Sequence, residues 1–201
     1  MNYNVIVGMC KNRGIGINNT LPWNIKEDLQ LFSKLTKGDG NNAIIMGKNT
    51  WESLPKQPLQ GRDNLILSTT LDINKNTPKN NYIKSFKNVE EILLFCKKQN
   101  YQTIWIIGGE KIYVDFLKLD IISNIFVSYI NKEYLCDKFF PELDEDRWSI
   151  IERKSIENTQ NIDLYQVIYQ NMDYRLSPFH NIFLAFFYNL LDGKYLFFQL
   201  L

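Results

Sequence analysis

The sequence of 201 residues contains one histidine, His180, and only three cysteines, which lie far apart. No Cys-x-x-Cys pair occurs, so the usual ligand pattern of a zinc site is missing and no metal site is predicted. Because His180 is the only histidine, a catalytic Ser-His or Cys-His pair is excluded from residues 1–179. Acid–base chemistry there must use a carboxylate, a lysine or a tyrosine.

The chain also has no large excess of positive or negative charge, with 23 Lys and Arg against 22 Asp and Glu. Attraction to phosphate backbones or anionic lipids needs a basic surplus or patch, so neither nucleic acid nor a membrane surface is expected as a partner. The odd number of cysteines and the lack of a signal-peptide pattern favour a reducing compartment. We therefore expect a cytoplasmic location, with Cys10, Cys96 and Cys136 as free thiols.

Short apolar runs alternate with helical patterns along most of the chain. Buried strands are predicted at 5–9, 43–46, 65–68, 82–84 and 103–107, and helices at 25–35, 89–98 and 111–117, the second with Asn88 as N-cap. Residues 72–81 have the composition of a loop. This alternation predicts an α/β fold, a single domain over 1–171 with a central, mainly parallel twisted sheet and helices on both faces. Strands at 125–130 and 164–169 have no long helix between them, so an antiparallel C-terminal strand is expected.

Residues 172–201 break the pattern and form an apolar C-terminal extension that holds six of the thirteen phenylalanines. Asp192-Gly193-Lys194 divides it into two blocks, each shorter than the roughly 20 apolar residues of a membrane helix, so no membrane span is predicted. Three interpretations stay open: a helix packed on the domain or on a partner, a hairpin turning at Asp192-Gly193, or an incidental tail. We expect a monomer, with association through the tail left open.

Helical phase separates two adjacent carboxylates near the start of the first helix. At about 100° per residue, Asp28 lies about 60° from Ile25, whereas Glu27 lies on the opposite side. The apolar face of this helix is expected to consist of Ile25, Leu29, Phe32 and Thr36. A carboxylate at the edge of a core is costly unless it meets hydrogen-bond donors, so Asp28 is either a site for a ligand with paired N–H groups or a solvated flank.

Two predicted strands end in glycine and lead directly into helices, at Met46-Gly47-Lys48-Asn49-Thr50 and Ile107-Gly108-Gly109-Glu110-Lys111. A helix N-terminus offers free N–H groups and glycine allows close approach, so two neighbouring junctions can hold one pyrophosphate. Ordinary turn chemistry also explains each glycine. Gly14-Ile15-Gly16 lacks the last glycine of the dinucleotide fingerprint and predicts a mobile loop instead.

Basic and hydroxyl side chains lie near other strand ends. Arg62 precedes the third strand, where its guanidinium either clamps a carboxylate at two points or pairs with Asp63 at the surface. The side chains of Lys48, Lys87, Ser68 and Thr69 either surround a phosphate or are simply solvated.

These motifs occur together, in one order and spacing, from about Tyr3 to Tyr169. They are Gly14-Ile15-Gly16, Leu21-Pro22-Trp23-Asn24, Asp28, Phe32, residues 45–53, residues 58–64 and residues 107–113. The combination resembles the dihydrofolate reductase family. The resemblance implies an NADPH-dependent oxidoreductase that reduces 7,8-dihydrofolate to 5,6,7,8-tetrahydrofolate, with hydride added at C6 and a proton at N5. Such an enzyme supports one-carbon metabolism and thymidylate synthesis, and antifolate inhibitors are expected ligands.

The resemblance also implies roles for residues around the substrate. Asp28 is the carboxylate that holds the pteridine N3 and 2-amino group and promotes protonation at N5, and Ser128 supports it. Leu21 and Trp23 belong, with Gly16 and Asn19, to a lid that closes over the site. The implied substrate-binding residues are Ile6, Val7, Asp28, Phe32, Leu54, Arg62, Ile107 and Ser128, with Arg62 clamping the glutamate α-carboxylate of folate.

For NADPH, the resemblance places Lys48 near the 2′-phosphate. Thr69 stands where many members have arginine or serine, and Lys87 is expected to supply the second positive charge. The implied cofactor-binding residues are Val7, Ile15, Gly16, Asn19, Gly47, Lys48, Asn49, Thr50, Leu67, Ser68, Thr69, Lys87, Ile107, Gly108, Gly109, Glu110, Lys111, Ile112 and Tyr113. Residues 137–141 resemble the family's late loop near the lid.

Other functions stay open from the sequence. Reductases of riboflavin synthesis share the expected architecture and NADPH use, although the spacing from Pro22-Trp23 to Asp28 and the Gly61-Arg62 pair are folate features. A non-catalytic binding module that retains the fold is a second alternative. A third concerns architecture, because some reductases of this family are fused to thymidylate synthase; the tail shows no synthase motif, which favours a stand-alone enzyme.

Overall fold

Helices and strands alternate through most of the chain in the computed structural model, which describes residues 1–76 and 82–175. The helices are α1 (Lys26–Lys37), α2 (Lys48–Ser53), α3 (Val89–Lys98), α4 (Glu110–Leu117) and α5 (Met172–Arg175). The strands are β1 (Asn2–Cys10), β2 (Gly14–Gly16), β3 (Ala43–Gly47), β4 (Asp63–Leu67), β5 (Asn74–Asn76), β6 (Tyr82–Phe86), β7 (Thr103–Gly108), β8 (Ile122–Ile130), β9 (Lys138–Phe139), β10 (Trp148–Ser155) and β11 (Leu164–Asn171).

Within the described ranges, nine strands form one mixed sheet in the order β10-β11-β8-β1-β7-β3-β4-β6-β5. The six strands from β8 to β6 in this order pair in parallel with one another. β11 runs antiparallel to β8, with Val167 opposite Val127, and β10 runs antiparallel to β11. The predicted α/β fold, with its mainly parallel sheet and an antiparallel C-terminal strand, is confirmed.

Successive side chains of β1 enter two cores on opposite faces of this sheet, as the period of a strand requires. Val7 packs in a cluster with Phe116 of α4, together with side chains of α3. Ile6, the residue before it, packs in a second cluster with Trp51 of α2, which Phe32 of α1 also contacts. Helices therefore cover both faces, as expected, and α1 and α2 lie on the face that Ile6 shares.

Several strands were not predicted. β10 is an edge strand in which only Trp148 is buried, so its sequence shows no alternation. β2 and β9 are too short to give a pattern and pair with each other in a separate two-stranded sheet. The loop predicted over residues 72–81 is wrong at β5, which pairs antiparallel with β6, and residues 77–81 lie outside the described chain.

The helices follow the sequence pattern with small differences. Asn88 is confirmed as the N-cap of α3, because its Oδ1 accepts a hydrogen bond from the Glu91 N–H at 2.8 Å. In α1 the expected apolar face is only partly correct, since Ile25 and Thr36 are fully buried but Leu29 is 46% exposed. Around the helix axis, Asp28 and Leu29 lie on opposite sides of Ile25. The buried side chains of α1 extend from Ile25 towards Asp28, so Leu29 faces solvent.

The described chain ends in α5, directly after β11. The Met172 N–H donates to the carbonyl of Arg147 at 2.9 Å, which holds this end against the start of β10. The predicted apolar extension lies outside the described residues from position 176 onward, so its three interpretations stay predictions. No helix in residues 1–76 and 82–175 is both long and apolar enough to cross a membrane.

Candidate active site

Asp28 lies in the first turn of α1, and its carboxylate is buried, with 6% of the residue exposed. The indole Nε1–H of Trp23 donates to its Oδ2 at 3.4 Å, and the Ser128 hydroxyl also hydrogen-bonds to the carboxylate. Burial raises the pKa of Asp28 above its ordinary value, while these two hydrogen bonds act in the opposite direction. The site therefore contains an acid that can hold a proton at a higher pH than a solvated aspartate can.

Gly8 makes room for this acid on β1. A Cβ at Gly8 would lie 3.2 Å from the Trp23 Cζ2 and 3.4 Å from the Asp28 Oδ2. Ser128 stands directly opposite Gly8 in the parallel register of β1 and β8, which places its hydroxyl beside Asp28. Sequence reasoning did not single out Gly8, although a glycine inside an apolar strand is a signal of close approach.

Apolar side chains predicted to line the substrate pocket mostly lie together. Ile6 and Ile107 are buried in one cluster, and Phe32 and Leu54 are partly buried against it. The Val7 side chain does not join them, because it packs in the cluster on the opposite face of the sheet. The alternation of β1 is the reason, because Ile6 and Gly8 share the face of α1 and Val7 points away.

Arg62 is buried, at 2% exposure, without a carboxylate partner among the described residues. Its Nη1 donates to the carbonyl of Gln60 at 3.3 Å, whereas its Nε is buried and has no hydrogen-bond partner in the part of the chain that the structure describes. Its Cζ lies 5.7 Å from the centre of the Phe32 ring. Burial lowers the pKa of Arg62 to about 10. A buried guanidinium with unused donors is suited to an anion supplied by a ligand.

Asp63 is not the partner that the alternative interpretation of Arg62 requires. Its carboxylate accepts hydrogen bonds from the Tyr101 hydroxyl at 2.5 Å and from the Tyr82 N–H at 2.8 Å. Arg62 directly precedes β4 and Asp63 is the first residue of this strand, and their side chains make separate contacts. The surface ion pair is therefore not formed, which leaves the clamp as the better interpretation.

The two glycine junctions lie side by side, because β3 and β7 are neighbours and Met46 is paired with Gly108. A Cβ at Gly109 would lie 3.3 Å from the Thr50 Oγ1. Gly108 has φ +105° and precedes a cis peptide bond, and a Cβ there would lie 2.9 Å from the Tyr113 ring. The Tyr113 hydroxyl donates to the Ile6 carbonyl at 2.9 Å, so this ring is fixed against β1. Neither α2 nor α4 has a side-chain N-cap, so no side chain caps the N–H groups of their first turns.

A cavity of about 220 Å³ lies beyond the ends of β4 and β6. Its lining includes Ser68, Thr69, Thr70 and Lys87. The Ser68 Oγ accepts hydrogen bonds from the N–H groups of Thr70 at 3.2 Å and Leu71 at 3.0 Å. The Lys48 Nζ donates to the Thr70 Oγ1 at 3.1 Å, so Lys48 reaches the edge of this cavity. Hydroxyl and ammonium groups that are spread over forty positions of the sequence therefore lie together at one end of the sheet.

The predicted lid contacts the predicted late loop. β2 pairs with β9, the Asp137 N–H donates to the Gly16 carbonyl at 3.0 Å, and the Asn18 N–H donates to the Asp137 carboxylate at 3.2 Å. Leu21 is 48% exposed, so this part of the lid lies open. The Glu110 carboxylate accepts the Phe139 N–H at 3.0 Å, so α4 also holds this loop.

Other predicted cofactor-binding residues differ in exposure. Asn19, Asn49 and Lys111 are exposed, Ile15, Gly47 and Leu67 are half-buried, and Ile112 is buried. Lys111 pairs with Asp115 on the surface of α4, with 2.8 Å between Nζ and Oδ2. Its ammonium is thus engaged along the helix.

Together, the parallel sheet, the buried acid and the paired glycine junctions define an α/β domain in which a buried carboxylate lies on a sheet with two neighbouring glycine-containing strand ends. The particular family follows from comparison with known proteins. The sequence profile of the family described as dihydrofolate reductase matches residues 2–172, and the chain belongs to this family of oxidoreductases, which reduce dihydrofolate to tetrahydrofolate.

Individual relatives agree with this assignment. The chain is similar to the dihydrofolate reductase of Heliothis virescens, with 30% identity over 181 residues that cover 84% of this chain and 97% of that protein. It is 35% identical over 152 residues to the dihydrofolate reductase of Drosophila melanogaster, covering 72% and 82%. The bifunctional dihydrofolate reductase-thymidylate synthase of Plasmodium berghei is 35% identical over 154 residues, which are 73% of this chain and 26% of that protein. The resemblance stated from the motifs is confirmed, and the family sets aside the riboflavin alternative.

Proposed function

We propose that the protein catalyses the NADPH-dependent reduction of 7,8-dihydrofolate to 5,6,7,8-tetrahydrofolate, with hydride added at C6 and a proton at N5. The observation that carries this proposal is the placement of Asp28 and Arg62 around Phe32. Asp28 lies one helical turn before Phe32 on α1, and the Arg62 guanidinium lies over the Phe32 ring. Dihydrofolate has N–H donors at its pteridine end, an aromatic middle and carboxylates at its other end, so its chemistry complements all three side chains.

Asp28 is proposed to do the acid–base work. Its carboxylate accepts from the pteridine N3–H and 2-amino group, and its raised pKa lets it favour a proton at N5. Ser128 and Trp23 are proposed as positioning residues that hold its oxygens by hydrogen bonds. Gly8 keeps the space beside the carboxylate open for these contacts.

NADPH fits the cradle formed by the two glycine junctions. A side chain at Gly47, Gly108 or Gly109 would fill space next to Ile112, Tyr113 or Thr50, as close contacts for an added Cβ show. Backbone N–H groups at these junctions suit the pyrophosphate, and Lys48, Ser68, Thr69 and Lys87 at the cavity suit the 2′-phosphate. When bound, NADPH supplies the hydride.

The lid is proposed to close over the substrate. Residues 16–23 lead from β2 to Trp23, whose indole already contacts Asp28. Closure would remove water from the ring that receives hydride and would strengthen the hydrogen bonds of Asp28. The walls formed by Ile6, Leu54 and Ile107 keep the opposite side of the pocket apolar.

We propose a cytoplasmic, monomeric enzyme that feeds tetrahydrofolate into one-carbon metabolism and thymidylate synthesis and that binds antifolates. Residues 1–171 form its catalytic domain and 172–201 an appended extension.

Turnover tests the proposal directly. Purified protein is mixed with dihydrofolate and either NADPH or NADH, and tetrahydrofolate is identified by mass. Formation of tetrahydrofolate with a preference for NADPH supports the proposal and the roles of Lys48 and Lys87. Binding of both ligands without product would instead support a non-catalytic module that retains the fold.

A further inference from the structure

Cys10 and Cys136 are 126 positions apart in the chain, yet their sulfur atoms lie 3.9 Å from each other. Cys10 is fully buried at the end of β1, and Cys136 is half-buried just before β9. The Cys10 thiol donates to the Asn12 Oδ1 at 2.7 Å. Closing this gap to a disulfide bond requires the sulfurs to approach by about 2 Å, which is within the range of side-chain rotation.

Gly14 is the reason that the two sulfurs meet. A Cβ at this position would overlap the sulfur of Cys136 and lie 2.9 Å from the sulfur of Cys10. The backbone of β2 therefore passes directly over the pair. Any residue other than glycine would force the two sulfurs away from the lid strand.

The segment that follows Cys136 anchors the lid. Asp137 hydrogen-bonds to Gly16 through its N–H and accepts the Asn18 N–H on its carboxylate. A covalent bond from Cys136 to the end of β1 would thus fix the anchor of the lid to the central sheet.

We propose that Cys10 and Cys136 are a redox-modifiable pair, which a peroxide or a small-molecule disulfide converts into an intramolecular disulfide that restricts the lid. This inference goes beyond the reductase function, and it does not depend on turnover.

The chemistry balances with hydrogen peroxide as oxidant. The partly accessible Cys136 thiolate attacks a peroxide oxygen, which breaks the O–O bond, gives a sulfenic acid and, with one proton, releases water. The Cys10 sulfur then attacks the Cys136 sulfur and expels a second water, with its own thiol proton leaving on that water. Two thiols and one peroxide give one disulfide and two waters, and two thiols of glutathione reverse the change by exchange.

Cys96 provides the internal control. It is buried in α3, whereas Cys136 is half-buried, so an oxidant in solution has access to the Cys136 sulfur and not to that of Cys96. No second cysteine is near it among the described residues, because the other two lie together at the end of β1.

The test exposes the reduced, full-length protein to hydrogen peroxide and then measures its intact mass and a non-reducing peptide map. We expect the loss of two hydrogen atoms and a crosslink between the peptides that contain Cys10 and Cys136. The crosslink should form in Cys96→Ser and should fail in Cys136→Ser and Cys10→Ser. Oxygen addition without a crosslink, or a crosslink only between chains, would overturn the proposal.

Hydrogen exchange tests the effect on the lid without any need for activity. Amide exchange in residues 14–20 should slow several-fold in the oxidised protein and return to its original rate after treatment with a thiol reductant. The same treatment of Cys136→Ser should leave these rates unchanged. Equal exchange in oxidised and reduced protein would contradict the restriction of the lid, whether or not the protein proves to be a reductase.

Discussion

The guanidinium carbon of Arg62 lies 5.7 Å from the centre of the Phe32 ring, and Arg62 has no carboxylate partner among the described residues. Phe32 follows Asp28 by one turn of α1, so the aromatic ring stands between a buried acid and a buried base. Two unlike charged groups at the ends of one apolar surface suit a ligand of matching length with N–H donors at one end and a carboxylate at the other. We therefore expect the protein to prefer a folate over a smaller pterin.

Arg62→Leu should raise the KM for dihydrofolate by roughly 10- to 100-fold, because a charge-assisted hydrogen bond is worth about 1.5–3 kcal/mol. The kcat should change little, since Arg62 lies far along the ligand from the reacting ring. Steady-state kinetics with NADPH at saturation measure both quantities.

Two controls separate the clamp from a general loss of structure. Arg153→Leu removes an exposed arginine of the edge strand β10 and should leave KM unchanged. A dihydropterin that lacks the benzoyl-glutamate arm should show the same KM with wild type and with Arg62→Leu. A wild-type KM for dihydrofolate in Arg62→Leu would remove Arg62 from substrate binding.

Ser128→Ala should shift the pH dependence of turnover upward. The Ser128 hydrogen bond lowers the pKa of Asp28, so its loss lets burial raise this pKa further. Reduction consumes a proton, so kcat/KM should fall as pH rises through the pKa of Asp28, and the fall should occur at higher pH in the variant. A shift of up to about one pH unit is expected, because one unit corresponds to about 1.4 kcal/mol, the size of a hydrogen bond.

Ser123→Ala is the matched control for this experiment. Ser123 lies on the same strand as Ser128 and has the same exposure of 8%. Its hydroxyl has no hydrogen-bond partner within residues 1–76 and 82–175 and is not one of the groups that shift the pKa of Asp28. The profile of Ser123→Ala should match wild type, and a downward shift in Ser128→Ala would show that the hydroxyl acts differently.

Asp28→Asn should stabilise the fold at neutral pH. A carboxyl group whose pKa is raised by folding contributes stability below its unfolded pKa, and that contribution is lost as pH rises through the folded pKa. The amide cannot ionise, so the variant should melt a few degrees higher than wild type near pH 7, about the effect of 1 kcal/mol in a domain of this size. Near pH 4 the difference should shrink, which thermal unfolding at both pH values would show.

Glu27→Gln tests the sign of this effect at the adjacent position. Hydrogen bonds from its own N–H and from the Thr159 N–H lower the pKa of Glu27, the opposite direction to Asp28. Glu27→Gln should therefore give no gain in melting temperature at neutral pH. Equal gains in both variants would mean that loss of negative charge alone is responsible.

Gly108→Ala should destabilise the protein more than Gly40→Ala does. Both glycines have positive φ, +105° and +101°, so alanine is strained at either position by about 1–3 kcal/mol. Only at Gly108 would the Cβ also meet another group, the Tyr113 ring, whereas the space around Gly40 is open. Denaturant unfolding should show the larger loss for Gly108→Ala, and only this variant should have a raised KM for NADPH. Equal unfolding midpoints would argue against the tight fit at Tyr113.

Much of the fold could be predicted because its central strands are buried on both faces. Four of the five residues of β3 are buried, so this strand has the continuous apolar run of a parallel sheet. β10 has only Trp148 buried, and β2 and β9 pair across more than 120 positions, so no local pattern predicts them.

The burial of Asp28 could be predicted, because helical phase places this residue at the edge of the core. Features of the site that depend on contacts between residues distant in sequence could not be predicted. Gly8 matters because Trp23 and Asp28 fold over it, and the Val7 side chain follows the alternation of β1 to the opposite face. The meeting of Cys10 with Cys136 likewise depends on the chain path around Gly14.

The loss of NADPH absorbance in the presence of dihydrofolate, compared between wild type and Asp28→Asn, tests the central claim most directly. NADPH binding to both proteins, followed by fluorescence, shows that the variant keeps its cofactor site. The account predicts turnover by wild type and a rate lower by two or more orders of magnitude, roughly the contribution of general acid catalysis, in Asp28→Asn at neutral pH. A variant that binds NADPH and reduces dihydrofolate at the wild-type rate would contradict the assignment of Asp28 as the acid of this site.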